Sequence, residues 1–318
     1  MHEIRSIASV GEILVEFVSH TKGCALEQMG PYSGPYPSGA PAIFLDQAAR
    51  MGVSAQMFGG VGDDGFGRAV LKRLSDDGID TSGVSVIKGK STGTAFVSYF
   101  DDGSRDFIFH LAGTAADSFA LDLDRLPDGP VLLHVSAASL GSTPLREAIL
   151  ATMHLVIEKG GKICCDPNAR PELMRDVAAW NALGQVMANS SLLMPSTSDL
   201  GFLFPGLDEP SAIERMLASG AEIVVVKRGA QGATVYGEGG RHDFSGHGVE
   251  EIDPTGAGDC FCGTFAALLT LGESLEGAGR MANAAGAIAV TRRGPMEGNS
   301  SREEILAFLK QQSATVLA

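Results

Sequence analysis

The sequence predicts an α/β fold with a mostly parallel central sheet covered by helices on both faces. Two observations carry this. Apolar runs at 131–135, 162–165, 192–194 and 223–226 are almost unbroken, the pattern of strands buried on both faces rather than one. Stretches of helical length separate them, as the crossovers between parallel strands require. At 318 residues the chain can build one large domain with an appendage.

Taken in order, residues 7–17 join an apolar stretch to an alternating one, which suits a strand that leaves the core and becomes half exposed. The Gly/Pro-rich stretch 30–39 punctuates the chain, and 40–51 reads as a helix closed by Gly52. A strand at 55–58, a glycine turn at 59–67 and a helix at 68–77 follow. Runs 94–100 and 106–111 flank Asp101-Asp102-Gly103-Ser104, a hairpin signal that interrupts the alternating order. A second two-stranded element, 233–236 and 241–244, turns at 237–240. Helices are expected at 259–271, 275–291 and 301–311. No stretch has linker composition and nothing repeats. One domain over 1–318 is expected, with a small inserted β-sheet from about 12–37 and 92–112.

Composition bounds the partners. Hydrophobic residues at 44% and charged residues at 19% are ordinary globular values. A net charge of −14 repels polyanions, so neither nucleic acid nor an anionic membrane surface is an expected partner. The first fourteen residues hold no apolar stretch of signal or spanning length, and a cytoplasmic location is the expectation. The five cysteines have neither disulfide-framework nor zinc spacing and read as reduced, buried thiols.

The most informative segment is Asp253-Pro254-Thr255-Gly256-Ala257-Gly258-Asp259, which runs directly into an apolar helix. Glycines 256 and 258 let backbone N–H groups converge at a helix start, where unpaired amides and the dipole favour an anion. Asp259 in the first turn sits beside that cradle and can take a proton from a hydroxyl attacking phosphorus. The plain alternative is a tight turn with Asp259 as a helix cap. Gly60-Val61-Gly62-Asp63-Asp64-Gly65 matches the dinucleotide fingerprint G-x-G-x-x-G, a weak signal alone, and places two carboxylates where a pyrophosphate would lie. These glycines read instead as backbone turns near a substrate pocket. No G-x-x-x-x-G-K-[ST] loop occurs.

The 253–259 segment resembles the C-terminal signature D-T-x-G-A-G-D of the ribokinase-like (PfkB) carbohydrate kinases. Ser38-Gly39-Ala40-Pro41-Ala42, then Gly59-Gly60-Val61-Gly62-Asp63-Asp64 and Gly67, resemble its N-terminal counterpart at the usual separation. The resemblance implies a three-layer α/β/α sandwich with a β-sheet lid, and phosphoryl transfer from ATP with Mg²⁺ to a sugar. It makes Asp259 the base and Gly256, Ala257 and Gly258 the anion hole. Lys227, Gly229 and Gly232 resemble the nucleotide-phosphate turn, and Asn283 lies on the helix that lines the adenine pocket. A monovalent cation, K⁺, is implied behind the anion hole near Asp253 and Gly294. The family's P-N-x-x-E segment stands here as Pro195-Ser196-Thr197-Ser198-Asp199, so Ser196 and Asp199 replace the usual nucleotide and metal-ordering pair.

On the sugar side, Glu16 replaces the common Asp, Ser38-Gly39 the glycine pair, and Ile43 the usual Asn. The 37–47 segment is similar to kinases of the tagatose type, and the 102–107 hairpin to the lid of fructokinases, with Arg105 touching the sugar or serving as a surface charge. Arg170, just past the end of the 162–165 strand, is a further phosphate or substrate contact. The resemblance thus implies a ketohexose-like substrate, with 2-keto-3-deoxygluconate and ribose as alternatives, and a homodimer through the lid. From other classes, a nicotinamide oxidoreductase and an idle sugar-binding regulator stay open.

Overall fold

The protein is described by a computed structural model covering residues 3–101, 104–169, 174 and 176–316. The chain begins β1 (Ser6–Val10), β2 (Leu14–Ser19), β3 (Tyr32–Ser38), α1 (Ala40–Arg50), β4 (Ser54–Gly62), α2 (Gly65–Asp76), β5 (Ile79–Ile87), β6 (Gly93–Tyr99) and β7 (Arg105–His110). It continues β8 (Val131–Ser136), α3 (Thr143–Glu158), β9 (Lys162–Asp166), α4 (Val177–Ala188), β10 (Leu192–Leu193), α5 (Thr197–Leu203) and α6 (Glu209–Ala218). Then come β11 (Ile223–Lys227), β12 (Gly232–Gly237), β13 (Gly240–Ser245), α7 (Ala257–Thr270), α8 (Leu275–Ala289) and α9 (Arg302–Val316).

Nine strands form one sheet in the order β13-β12-β11-β10-β9-β8-β1-β4-β5, parallel except at the β11-β12-β13 edge. Side-chain alternation explains why both faces must be covered. Along β9, Cys164 points into the core under α1, α7 and α8, while Ile163 and Cys165 point into the core under α3, α4 and α6. Phe44 of α1 and Phe265 of α7 are fully buried on the first face, Ile149 and Met153 of α3 on the second. Each such side chain contributes about 1.5–3 kcal/mol by leaving water. A second sheet, β3-β2-β6-β7, stands apart from the first, with β2 and β6 parallel and its two outer pairings antiparallel.

Four expectations change. Residues 7–17 are not one strand: the chain breaks after Val10, and β1 and β2 enter different sheets, with β2 buried along most of its length. The Gly/Pro-rich stretch contains an edge strand, β3, where proline is tolerated for want of a neighbour. The 233–244 hairpin extends the main sheet rather than standing alone. Most telling, Gly59, Gly60 and Gly62 are not a turn but the end of β4. A Cβ on Gly60 would lie 2.3 Å from the Ala115 carbonyl, and one on Gly62 2.4 Å from that of Lys90. These glycines admit close backbone approach.

Candidate active site

The strands β9 and β11 end on one side of the sheet, and the segments leaving them line a cleft of about 650 Å³ together with the starts of α5 and α7 and one face of α8. That volume suits a small-molecule ligand. Its lining mixes apolar residues, Val249, Ala287 and Val290, with polar ones, Lys227, Asn283 and Asp259, and with the glycines 229, 256 and 258.

Gly256 caps α7 in the left-handed region (φ 78°), and the backbone of 256–258 lines the cleft. No larger residue fits there, because a Cβ on Gly256 would lie 2.3 Å from the Pro295 carbonyl. Asp259 follows in the first turn of the same helix. The helix start therefore brings backbone amides, toward which the dipole draws an anion, and a carboxylate, a group able to accept a proton, to the same place.

Lys227, at the end of β11, reaches across to the same place. Its Nζ donates to Asp166 Oδ2 at 2.5 Å and to Cys262 Sγ at 3.3 Å, and lies 3.6 Å from where a Gly258 Cβ would stand. Burial alone would lower the lysine's pKa; the adjacent Asp166 carboxylate outweighs it and raises it, so the ammonium persists. Burial, with Asp166 next, pushes the Cys262 thiol up and keeps it protonated. A fixed positive charge thus faces the cradle. Gly229 (φ 54°) and Gly232 (φ 97°) close the turn after Lys227; a Gly232 Cβ would meet the Phe244 carbonyl at 1.9 Å.

Asn283 donates to the Ser245 carbonyl at 2.8 Å and lines the cleft. Ser196 and Asp199 form a capping box on α5: Asp199 Oδ2 accepts from the Ser196 amide at 2.7 Å and its hydroxyl at 2.6 Å, and Oδ1 accepts from the Ala169 amide at 2.8 Å. This pair orders the corner between β9 and β10 while lining the cleft. Asp253 is buried beneath the cradle: Oδ1 accepts from the Thr255 amide at 3.0 Å and Oδ2 from the Gly294 amide at 2.9 Å.

The second sheet contributes a different set. Glu16 and Ser38 are both buried, and the Ser38 hydroxyl donates to Glu16 Oε2 at 3.1 Å. Gly39 (φ 113°) packs so tightly that a Cβ would lie 2.4 Å from the Glu12 carbonyl. Glu12 itself accepts from the Ser139 hydroxyl, and burial raises its pKa. Arg105 on β7 lies over the Phe107 ring, 5.5 Å from its centroid, and borders the cleft. Glu16, Ser38 and Gly39 are not among the residues that line it. Arg170 lies outside the described residues.

Two contacts had no signal in the sequence. Asp166 opens a segment at a strand end, where ligands bind in such sheets, but nothing there announces its pairing with Lys227. Tyr99, the last residue of β6, hydrogen-bonds to Asp253 and Thr255. Conversely, the dinucleotide reading fails on geometry. Gly60 and Gly62 lie inside a strand, and the N-terminus of α2 is filled by the chain's own Asp64, which accepts from the Gly67 amide at 2.8 Å.

The cleft's volume and the helix start that opens onto it are of the kind that holds a small phosphate-bearing ligand. Among the described residues no group of three or more His, Cys, Asp or Glu is placed to hold a metal alone. Mg²⁺ keeps several waters and is held largely by substrate phosphates; the carboxylates in the cleft lining are those of Asp166, Asp199, Glu251 and Asp259. The five cysteines are free and buried, and no helix among the described residues is long and apolar enough to cross a membrane.

This fold and cleft belong to a phosphotransferase. Residues 4–302 match the pfkB family carbohydrate kinases, and the chain belongs to that family: it is an ATP-dependent sugar kinase of ribokinase-like fold. It is 31% identical over 318 residues to a fructokinase-1 of Oryza sativa subsp. japonica, covering 96% of this chain and 97% of that protein. A putative ribokinase II from E. coli, solved in complex with ATP and Mg²⁺, is 40% identical with a TM-score of 0.90 over 97% of this chain and 100% of that one. A fructokinase double mutant from Vibrio cholerae O395, bound to fructose, ADP and a potassium ion, is 26% identical with a TM-score of 0.83 over 97% and 100%.

Proposed function

We propose that the enzyme transfers the γ-phosphoryl group of ATP to a primary hydroxyl of a ketohexose-like sugar, of tagatose or fructose type, with Asp259 as the general base. The observation that carries this reading is the first turn of α7, which presents Asp259 and the 256–258 amides to the cleft that also holds the Lys227 ammonium. Asp259 takes the hydroxyl proton as the oxygen attacks. The amides and Lys227 hold the negative charge that spreads over the transferring oxygens. Mg²⁺, carried in with ATP and met by Asp166 and Asp199, offsets phosphate charge against an acidic protein.

The turn from Lys227 to Gly232 and Asn283 seat the nucleotide, with Ser196 ordering the adjoining corner. Glu16, Ser38, Gly39, Arg105 and Arg170 take the sugar. The four-stranded sheet acts as a lid that excludes water from the attacking hydroxyl. A monovalent cation would sit behind the cradle near Asp253 and Gly294, held by backbone oxygens, because the Asp253 carboxylate already accepts from Tyr99, Thr255 and Gly294. The exposed Met29, just before β3, and Ile108 on β7, beside Tyr32 and Phe96, give a second copy of the chain an apolar seat, which supports a homodimer through the lid.

The ketohexose assignment draws support from the fructokinases to which the chain is similar and from the fructose in the Vibrio cholerae neighbour. The test is an ADP-release screen across ketohexoses, pentoses and sugar acids. Turnover is expected with fructose or tagatose. Turnover confined to ribose or 2-keto-3-deoxygluconate would reject the substrate class while keeping the kinase.

A further inference from the structure

Tyr99 belongs to neither sequence signature, yet it joins the two parts of the site. It ends β6 of the second sheet, 9% exposed; its phenol O–H donates to Asp253 Oδ1, and the phenol oxygen also hydrogen-bonds the Thr255 hydroxyl. Thr255 immediately precedes Gly256, and Asp253 stands two residues before Thr255. Two other strands of that sheet reach the opposite wall of the cradle. Arg293 Nη1 donates to the Ser19 carbonyl of β2 at 3.2 Å, and the Tyr36 ring of β3 lies 2.8 Å from where a Gly294 Cβ would stand. Asp253 ties the walls together through the Gly294 amide, and Pro295 closes on Gly256. The sheet that carries Glu16 and Ser38 is therefore bonded to the turn that presents the cradle amides.

We propose that Tyr99 is a positioning residue that couples seating of the second sheet to alignment of the anion cradle. The inference rests on the kinase reading. Tyr99 is not among the residues that line the cleft; it acts through Asp253 and Thr255 on the backbone of 256–258. With the sheet seated, the cradle amides are held where the transferring phosphoryl group needs them. Without the phenol hydroxyl, the turn keeps its glycine conformation but loses its tie to the sheet, so nucleotide still binds while transfer slows.

Tyr99→Phe is the direct test, because the ring keeps its packing against Val18 and Val97. Thr255→Val removes the other partner. Each is expected to lower kcat about tenfold, with KM for ATP changed less than about twofold, since misplacement of about 1 Å costs up to about 100-fold in rate. ATP hydrolysis without sugar should rise as a fraction of total turnover. The double variant should lose little more than either single one. Unchanged kcat in Tyr99→Phe, or losses that multiply in the double variant, would overturn the inference. So would a kcat loss matched by an equal rise in KM for ATP. Wild-type protein assayed alongside separates the layers: sugar-dependent ADP release in wild type with an identical Tyr99→Phe sinks only the coupling, whereas a silent wild type sinks the kinase reading and the coupling with it.

Discussion

Substituting Gly256 by alanine should disable transfer far more than it unfolds the protein. Two costs fall on this position. A left-handed conformation (φ 78°) costs an alanine about 1–2 kcal/mol. The new Cβ would also stand 2.3 Å from the Pro295 carbonyl, and an ordinary contact begins at 3.4 Å, so the backbones must part by 3.4 − 2.3 = 1.1 Å. That displacement falls on the cradle. A shift of about 1 Å at a transfer site costs about 100-fold in rate, and kcat should fall by about that factor. Gly272→Ala is the control at the other end of α7: φ is again positive (86°), but nothing lies within 4 Å of the added methyl. It should lose about 1–2 kcal/mol, about 2–8 °C in thermal midpoint, with kcat intact. The assay is ADP release at saturating ATP and sugar, alongside thermal unfolding. A folded Gly256→Ala enzyme with kcat within about threefold of wild type, or a Gly272→Ala enzyme equally slow, would refute the reasoning.

Three further outcomes follow from particular contacts. His134 is fully buried, stacked on Phe44 with centroids 3.6 Å apart, and burial, with Lys227 adding to it, pulls its pKa down to about 3. The unfolded chain takes up this proton below about 6.5 and the folded one does not, so stability is full above that pH and falls as pH drops toward 3. By pH 5 the loss is about 2 kcal/mol. Urea unfolding at pH 7.5 and 5 should show His134→Gln less pH-sensitive than wild type by that amount; equal sensitivity would contradict it. Lys227→Met strands the buried Asp166 carboxylate and should destabilise by about 3–5 kcal/mol, while the added change Asp166→Asn should restore most of the stability and none of the activity. Arg105→Ala should raise KM for the sugar about tenfold and leave the thermal midpoint unmoved, because this side chain is exposed.

The elements that could be read from the sequence are those whose environment leaves one type of residue. Strands β8, β9 and β11 are covered on both faces, so only apolar residues survive there. The edge strands escape notice because one side of each is free. Tyr32–Ser38 tolerates Gly and two prolines, and Ile79–Ile87 is half polar. Glycine is the most ambiguous letter: at Gly256 it marks a left-handed turn and at Gly60 a strand, each pressed against another backbone, and only the φ angle tells them apart. In the site, the juxtaposition of Asp259 with its glycine turn was legible because it lies within four residues. The Lys227–Asp166 pair spans 61 residues and the Tyr99–Asp253 bond 154, distances no local pattern encodes.

The central claim is that the carboxylate in the first turn of α7 takes the sugar's proton. Asp259→Asn keeps the helix start and the cradle amides but removes the base. Single-turnover transfer from ATP to the best sugar of the screen should slow about 10²–10⁴-fold, with sugar and ATP affinity changed little. Transfer at the wild-type rate with asparagine at 259 would contradict the account.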